Sequence, residues 1–271
     1  MVIDFHTHIF PDKIAGATIS FLSKGANIAP HAEGNYNGLI SSMDENGIDI
    51  SVNLPVVTKP AQMESIISFA SKINKGDAPY IKERIISFAG MHPDCSDFEA
   101  WLYKIKEMGF LGIKIHPDYQ GVFFDDERYI KIFALAKELD LITVTHAGLD
   151  GAFIGEEIKC TPTRVLRALD RLGGYYKLVL AHLGGNELFS EVYSDLAGES
   201  VYFDTSYVLP NIERALFEKM LSRHGEDKIL FATDSPWQDQ GNMVNILRSY
   251  NLGATTENKI LYENAKGLLK L

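Results

Sequence analysis

Short apolar runs rich in β-branched residues alternate with longer segments of helical spacing along most of the chain. The predicted strands are residues 2–6, 48–54, 85–89, 112–115, 141–145, 177–181, 201–204 and 228–233. The segments with helical periodicity are residues 62–73, 98–108, 129–139, 162–172, 211–221 and 257–269. Strands that alternate with helices of about 10–15 residues form parallel βαβ units, so the pattern predicts the α/β class.

Eight such strands in 271 residues predict a (β/α)8 TIM barrel, a closed parallel sheet with outer helices that typically takes about 250 residues. We therefore expect one domain over residues 1–271. An open doubly wound sheet has the same alternation, although no Gly-x-Gly-x-x-Gly turn follows the first predicted strand, as its dinucleotide-binding version requires. Residues 11–43 are longer than one crossover helix needs and contain several glycines, so we expect an extended loop over the strand ends.

Composition and charge narrow the range of partners. The chain is 46% hydrophobic and 23% charged, as in an ordinary soluble globular protein, and no apolar run approaches the roughly 18 residues of a membrane span. The net charge of −10 argues against nucleic acid or an anionic membrane and leaves a small-molecule substrate as the expected partner. Helices on the outside of a barrel also offer surfaces for a homodimer.

The two cysteines, Cys95 and Cys160, lie far apart in the sequence and outside any Cys-x-x-Cys spacing. This spacing argues against a disulfide framework and against a cysteine zinc site, so we expect a reducing, cytoplasmic location. The first predicted strand begins at residue 2, and we therefore expect no signal peptide.

His6 and His8 lie two residues apart at the end of the first predicted strand. On an extended strand, such a spacing places both imidazoles on one face, where they suit a divalent transition metal. The alternatives are an ordinary strand that carries two polar residues and a remnant of a purification tag. A tag is a longer histidine run outside the folded pattern, whereas this pair lies within an apolar run.

Other predicted strands also end in residues with metal-binding or catalytic chemistry. The fourth ends in Lys114 and His116, the fifth in His146, the sixth in His182 and the eighth in Asp234. In a TIM barrel, catalytic side chains come from the carboxyl ends of the strands. A single histidine at such an end is more often a hydrogen-bonded structural residue, but several together predict one cluster at one mouth of the barrel.

These residues carry a resemblance to the amidohydrolase superfamily of metal-dependent barrels. The sequences Gly-Ile-Lys-Ile-His-Pro at 112–117, Leu-Ala-His-Leu-Gly-Gly at 180–185 and Phe-Ala-Thr-Asp-Ser-Pro at 231–236 are similar to its amidohydrolase-related branch. That branch includes small-molecule hydrolases and the aminocarboxymuconate-semialdehyde-type nonoxidative decarboxylases. The closing segment at 262–269 also resembles the family's C-terminal helix, so the resemblance spans nearly the whole chain.

The resemblance implies that His6, His8, His146 and Asp234 ligate one divalent metal ion. It implies that His182 handles protons or polarises the substrate just outside the ligand set, and that Asp234 also acts as the general base. We expect Zn²⁺, which lowers the pKa of its water from about 15.7 to about 7. His and Asp ligands also suit Mn²⁺, Fe²⁺ and Co²⁺.

Lys114 and His116 leave three alternatives open. In binuclear relatives a carboxylated lysine at the end of strand four bridges two metals, and His146 and His182 would then serve the second ion. In a mononuclear site, Lys114 or His116 contacts a substrate carboxylate. The third alternative is a structural lysine in the barrel interior that pairs with a buried acid such as Asp4.

Three functions are compatible with these residues. The first, which the sequence favours because it needs only an activated water, is a metal-dependent hydrolase of a small-molecule amide, ester or lactone. The second is a metal-dependent nonoxidative decarboxylase of a small unsaturated or aromatic carboxylic acid. It requires a cationic side chain near the substrate carboxylate, and Lys114, Arg164 and Lys59 are the candidates. The third is a non-catalytic barrel with a structural metal, which needs only four ligands and leaves the additional polar residues unexplained.

Overall fold

Nine short strands form the sheets of this protein, whose computed structural model describes residues 1–271. They are β1 (Ile3–Thr7), β2 (Ile50–Asn53), β3 (Ile85–Ser87), β4 (Ala89–Gly90), β5 (Gly112–Ile115), β6 (Ile142–Thr145), β7 (Leu178–Leu180), β8 (Tyr202–Asp204) and β9 (Ile229–Leu230). All neighbouring strands pair in parallel. Every predicted strand is present, and the third is divided into β3 and β4.

The division between β3 and β4 lies at Phe88. Its backbone nitrogen donates to the carbonyl oxygen of Asn53 at 2.9 Å, and its ring packs edge-on against Phe5, with the ring centroids 6.0 Å apart. Gly112 is required beside it, because a Cβ at this position would come within 2.5 Å of the Phe88 ring. A buried aromatic side chain thus occupies the point at which one ladder ends and the next begins.

The strands are ordered β1-β2-β3 in one sheet and β4-β5-β6-β7-β8-β9 in the other. Backbone hydrogen bonds also connect the first strand with the segment at and after β9. Phe5 N donates to Phe231 O at 2.9 Å, and Asp234 N donates to His6 O at 2.8 Å. The first and last strands therefore lie side by side, and the fold is α/β with parallel sheets.

Helices occupy most of the connections between the strands. They are α1 (Asp12–Ala26), α2 (Tyr36–Asn46), α3 (Met63–Lys75), α4 (Phe98–Glu107), α5 (Pro117–Gln120), α6 (Glu127–Glu138), α7 (Pro162–Leu172), α8 (Phe189–Glu191), α9 (Arg214–His224), α10 (Gln240–Ser249), α11 (Ala254–Asn258) and α12 (Asn264–Leu269). None of them combines the length and the apolar character needed to cross a bilayer.

The expectation of an extended loop at residues 11–43 was wrong, because α1 and the start of α2 occupy most of this segment. Gly16 and Gly25 are tolerated inside α1, where each costs about 1 kcal/mol relative to alanine. The buried side chains of Ala15 and Ile19 hold the helix against the rest of the protein. Tertiary packing has therefore overridden the weak intrinsic helix propensity of this segment.

Two groups of buried apolar side chains form the core. The larger group contains 54 residues and includes the buried faces of α3, α4, α6 and α7. The smaller group contains 13 residues from β1, β2, β6, β7, β9 and their flanks, together with Ala265, Leu268 and Leu269 of α12. Because the smaller group draws on strands of both sheets, its packing connects the two sheets beneath the strand ends that carry the polar residues.

Candidate metal centre

The two histidines of the first strand bring their Nε2 atoms together at the carboxyl end of β1. His6 lies in β1, His8 follows its last residue, and the two Nε2 atoms are 3.1 Å apart. His6 Nδ1 lies 2.9 Å from Asp204 Oδ2, and His8 Nδ1 lies 2.9 Å from the carbonyl oxygen of Leu54. A carboxylate and a carbonyl only accept hydrogen bonds, so each Nδ1 carries the proton and each Nε2 presents a lone pair.

Asp234 completes a group of three ligand atoms with these lone pairs. Its Oδ1 is 3.2 Å from His8 Nε2 and 3.5 Å from His6 Nε2, and all three atoms lie within 4.8 Å of one another. Converging lone pairs repel unless a positive charge lies among them. Two imidazoles and a carboxylate are donors for a divalent transition metal, and the bonds made by both Nδ1 atoms are typical of metal-ligating histidines. These residues therefore fit a metal ion.

The protonation states of the group also suit a metal. Burial and the nearby Lys114 ammonium lower the pKa of His6 to about 3, so its imidazole is neutral at neutral pH. Burial alone would raise the pKa of Asp234, but its interactions with the surrounding histidines outweigh burial and hold this pKa below its ordinary value. For His6 and Asp234, a neutral imidazole and an ionised carboxylate are the forms that bind metal.

Asp204 was not recognised from the sequence, although it ends the seventh predicted strand. It is fully buried at the end of β8, where one carboxylate oxygen accepts from His6 Nδ1. Its other oxygen, Oδ1, accepts from the backbone nitrogens of His182 and Ser206, each at 3.0 Å. One carboxylate thus fixes the ring orientation of His6 and the backbone of His182. The signal available in the sequence was its position at a strand end, shared with Asp234.

His182 and His146 are hydrogen-bonded to each other beside this group. His182 Nδ1 lies 3.0 Å from the carbonyl oxygen of Ser206, so it is the protonated nitrogen. His182 Nε2 therefore accepts from His146 Nδ1, at 2.9 Å. The rings of His6 and His182 are 5.6 Å apart at their centroids. His182 thus adjoins the His6–His8–Asp234 group without being part of it.

The fourth predicted ligand, His146, stands apart from the other three. Its Nδ1 faces His182, and its side chain belongs to a different group, with His116 and Asp150. The structure therefore brings His6, His8 and Asp234 together and places His146 in an adjoining group. Its assignment to the same metal ion stays a prediction.

Both candidate catalytic residues have unusual backbone conformations. Asp234 has φ of +70° and His182 has φ of +59°, in the left-handed region that costs a non-glycine residue about 1–2 kcal/mol. Such conformations persist where the surrounding structure holds them, and they concentrate at functional sites. Here Asp234 N donates to His6 O, and His182 N donates to Asp204, which holds both residues in place.

Lys114 extends from β5 to the group of His6, His8 and Asp234. Its Nζ is 3.2 Å from His6 Nε2, and the side chain is almost fully buried. Burial lowers its pKa to about 8, with Asp204 and Asp234 acting in the opposite direction, so the amine is mostly charged at neutral pH. Asp4, one predicted partner for this lysine, instead accepts from Thr233 and Gln240.

His116 lies in a second polar group formed by the segments after β5 and β6. Its Nε2 is 3.3 Å from Asp150 Oδ2, and its ring stacks on that of His146 with centroids 4.3 Å apart. Asp118 lies next to them, with Oδ2 4.0 Å from His146 Nε2. Asp118 and Asp150 were missed in the sequence, because both lie beyond the strand ends in segments whose paths the strand pattern does not predict.

A family model described as amidohydrolase matches residues 3–271. A search of curated proteins finds no match. Among solved structures, 2,6-dihydroxybenzoate decarboxylase from Rhizobium is 17% identical, with a TM-score of 0.74 over 99% of this chain and 98% of that chain.

Two further structures are similar over the full length. A dihydroxybenzoic acid decarboxylase from Polaromonas sp. JS666, solved with bound manganese and the inhibitor 2-nitroresorcinol, is 16% identical, with a TM-score of 0.74 over 100% of this chain and 97% of that chain. The 5-carboxyvanillate decarboxylase from Sphingomonas paucimobilis is 14% identical, with a TM-score of 0.69 over 100% and 99% of the two chains. At these identities, the likenesses establish a shared fold alone.

Proposed function

This chain belongs to the amidohydrolase family, and we propose that it is a metal-dependent nonoxidative decarboxylase of a small aromatic or unsaturated carboxylic acid. We further propose that its two sheets form one closed eight-stranded barrel in a single domain, residues 1–271. The hydrogen bonds from Phe5 to Phe231 and from Asp234 to His6 support closure. The resemblance stated from the sequence is confirmed by the family match, and the solved decarboxylases favour the second of its two reactions.

The observation that carries the choice of reaction is the position of Lys114. Its buried ammonium lies 3.2 Å from a proposed metal ligand, so a substrate carboxylate placed at the metal would also meet this charge. The other cationic candidates are less suited. Arg164 is held by Asp125 at 2.7 Å and by Glu157 at 2.9 Å, and Lys59 is exposed.

The metal is assigned to His6, His8 and Asp234, with His146 as the fourth predicted ligand from the family resemblance. A bound divalent ion would supply positive charge that holds the substrate and disperses its negative charge. The solved relative with bound manganese supports a divalent ion, and the ligand set suits Mn²⁺ as well as the Zn²⁺ expected from the sequence.

The protein must supply the proton in this reaction. Loss of carbon dioxide breaks a carbon–carbon bond, leaves the electron pair on the substrate carbon, and consumes one proton there. We assign the proton donor to His182, because its Nδ1 is committed to the Ser206 carbonyl, whereas Nε2 accepts from His146 Nδ1 and can take over a proton for delivery to the site. Lys114 binds the carboxylate before the bond breaks, and its burial keeps water away from the charge pair.

A hydrolase of an amide, ester or lactone is the second candidate function. The observation that favours it is the ionised carboxylate of Asp234, 3.2 Å from His8 Nε2, which is placed to act as a general base on a water molecule. Hydrolysis makes no use of the buried Lys114 ammonium.

The test is a substrate panel with the Mn²⁺-loaded protein. The panel contains hydroxybenzoic acids, enoic acids and, as the competing class, lactones and amides. We expect carbon dioxide release from an acid, with one solvent deuterium incorporated into the product at the carbon that lost the carboxylate. The Lys114→Met variant should decarboxylate the same acid with a KM about tenfold higher. Turnover of a lactone or an amide, with no acid decarboxylated, would contradict the proposal and favour the hydrolase.

A further inference from the structure

One buried carboxylate beside the proposed metal centre has an oxygen without a hydrogen-bond partner. Asp118 is 5% exposed, and its Oδ2 makes no hydrogen bond, while Oδ1 accepts from Lys159 N at 3.4 Å. Oδ2 lies 4.0 Å from His146 Nε2, which is too far for a hydrogen bond. His146 is the fourth predicted metal ligand, and a nitrogen that ligates an ion carries no proton. The protein therefore supplies no donor to Asp118 Oδ2, with or without the ion.

Asp150 borders the same place and differs in that both of its oxygens are held. Oδ2 lies 3.3 Å from His116 Nε2, and Oδ1 accepts from Ala152 N at 2.8 Å. His116 Nδ1 accepts from Tyr119 N, so the proton of this imidazole is on Nε2 and is donated to Asp150. A buried carboxylate oxygen without a donor is costly. The contrast identifies Asp118 as the carboxylate whose donor must come from outside the protein.

Asp118 adjoins the residues that are proposed to act on the substrate. One imidazole ring separates it from His182, the proposed proton donor, because His146 bonds to His182 through Nδ1 and faces Asp118 with Nε2. The ring of His116 stacks on that of His146, and Tyr119 packs edge-on against His116 with centroids 4.7 Å apart. Ligand pockets combine aromatic surfaces of this kind with a few polar groups that fix the orientation of the ligand.

We propose that Asp118 determines substrate specificity by accepting a hydrogen bond from a hydroxyl or amino group of the substrate. The inference rests on the proposed function and narrows its substrate class to carboxylic acids that also carry a hydrogen-bond donor. Lys114 and the metal ion receive the reacting carboxylate, whereas Asp118 receives the donor. A charge-assisted hydrogen bond of this kind is about twice as strong as one between neutral groups.

The same side chain excludes a second carboxylate on the substrate. Neither Asp118 nor Asp150 pairs with a lysine or an arginine, and the partners within 4.0 Å are the imidazoles of His146 and His116. Burial lowers the pKa of both imidazoles, so neither neutralises the adjacent carboxylate. A second substrate carboxylate would therefore meet uncompensated negative charge, and such repulsion contributes to specificity as much as attraction does.

The test is the affinity of matched acids for the Mn²⁺-loaded full-length protein, measured by titration calorimetry, with KM in place of Kd for any acid that is turned over. The ortho, meta and para hydroxybenzoates are each compared with their methoxy analogues, and isophthalate is compared with benzoate. In the wild-type protein, we expect the hydroxyl compound to bind about tenfold tighter at one ring position or more, and isophthalate to bind more weakly than benzoate.

The variants Asp118→Leu and Asp118→Asn separate the hydrogen bond from the charge. Asp118→Leu should abolish the hydroxyl preference, and Asp118→Asn, which keeps a neutral acceptor, should lose part of it. Both should bind isophthalate about tenfold tighter than the wild-type protein does, because the repelling charge is gone. The matched control is Asp94→Asn, at an exposed ion pair with Arg128, which should leave both comparisons unchanged. Circular dichroism checks each fold, and Asp118→Asn alone decides if the leucine variant does not fold.

The outcomes distinguish this inference from the proposed reaction. If both comparisons are the same in the wild-type protein and the Asp118 variants, as they would be if a water molecule were the only partner of Oδ2, the inference is overturned. It is also overturned if none of these acids binds the wild-type protein. Decarboxylation of any acid would still support the proposed function in both cases. A hydroxyl preference that depends on Asp118, with no acid decarboxylated, would uphold the binding role and refute the reaction.

Discussion

The group of His6, His8 and Asp234 and the group around His116 differ in how completely hydrogen bonds hold their polar atoms. In the group of His6, His8 and Asp234, each imidazole donates its Nδ1 proton to a fixed acceptor, Asp204 or Leu54. In the group around His116, the atoms His146 Nε2 and Asp118 Oδ2 have no partner. His116 and His146 directly follow β5 and β6, and Asp118 and Asp150 lie farther along the same segments.

The difference shows what fixed hydrogen-bond acceptors contribute to a metal site. Hydrogen bonds to Asp204 and Leu54 orient the two imidazoles, and the bond from Asp234 N to His6 O positions Asp234 before any ion binds. We therefore expect the first group to bind metal tightly and to carry the chemistry.

The largest expected effect is a difference in activity between a variant of the first group and a variant of the second. Asp234→Asn should lower kcat/KM by about 10³-fold or more, because it removes a ligand and about 4 kcal/mol of transition-state stabilisation. Asp118→Asn should lower it by no more than about tenfold at saturating Mn²⁺. Steady-state kinetics on one acid substrate measures both. Equal losses in the two variants would remove the distinction between the groups.

Asp204→Asn tests whether the fixed acceptors produce the tighter binding. The variant keeps the shape of the side chain but loses the charge that orients His6 Nδ1. We expect the Mn²⁺ affinity of the first group to fall by about 10–100-fold. Titration of the wild-type and variant proteins measures this affinity. An unchanged affinity would show that Asp204 serves only the fold.

Lys114→Met tests the substrate role of the charge next to the first group. We expect KM for a carboxylic acid to rise about tenfold, since a charge-assisted contact of about 1.5 kcal/mol is lost. Mn²⁺ affinity should stay the same or rise, because the competing ammonium beside His6 Nε2 is gone. A loss of bound metal in this variant would instead indicate that the lysine holds metal, as in the bridging alternative.

His224 provides a comparison with a buried histidine outside both groups. It stacks on Phe203 with centroids 3.8 Å apart, and burial lowers its pKa to about 4. The unfolded chain binds this proton near pH 6.5, so stability should fall as the pH drops from about 6.5 to 4. In the His224→Leu variant, this fall in the free energy of unfolding should be smaller by on the order of 2 kcal/mol. The substitution should leave kcat and metal content unchanged.

Urea unfolding of the wild-type protein and the His224→Leu variant at pH 7 and pH 4.5 checks this expectation. The difference in unfolding free energy between the two proteins should depend on pH. A difference that is the same at both values would show that protonation of His224 plays no part in acid stability.

The sequence predicted the strands well, because buried parallel strands are short, apolar and regularly spaced. The same pattern placed His6, His8 and Asp234 at strand ends, and the structure brings these three together. It did not predict α1, whose glycines suggested a loop, because the packing of Ala15 and Ile19 that stabilises it is a tertiary effect.

The residues that were missed share a physical reason. Asp204 acts through a hydrogen bond to His6, which is 198 positions away in the sequence, and no local spacing reveals such a partner. Asp118 and Asp150 lie beyond the strands, where backbone paths depend on turns and on contacts with α1. The ring orientation of His146 could not be predicted from the sequence either, because it depends on the hydrogen bond to His182.

The most direct measurement of the central claim is anomalous diffraction from crystals of the full-length protein grown with Mn²⁺. We expect a strong peak about 2.0–2.3 Å from Nε2 of His6, Nε2 of His8 and a carboxylate oxygen of Asp234. Crystals that contain Mn²⁺ with no peak among His6, His8 and Asp234 would contradict the account.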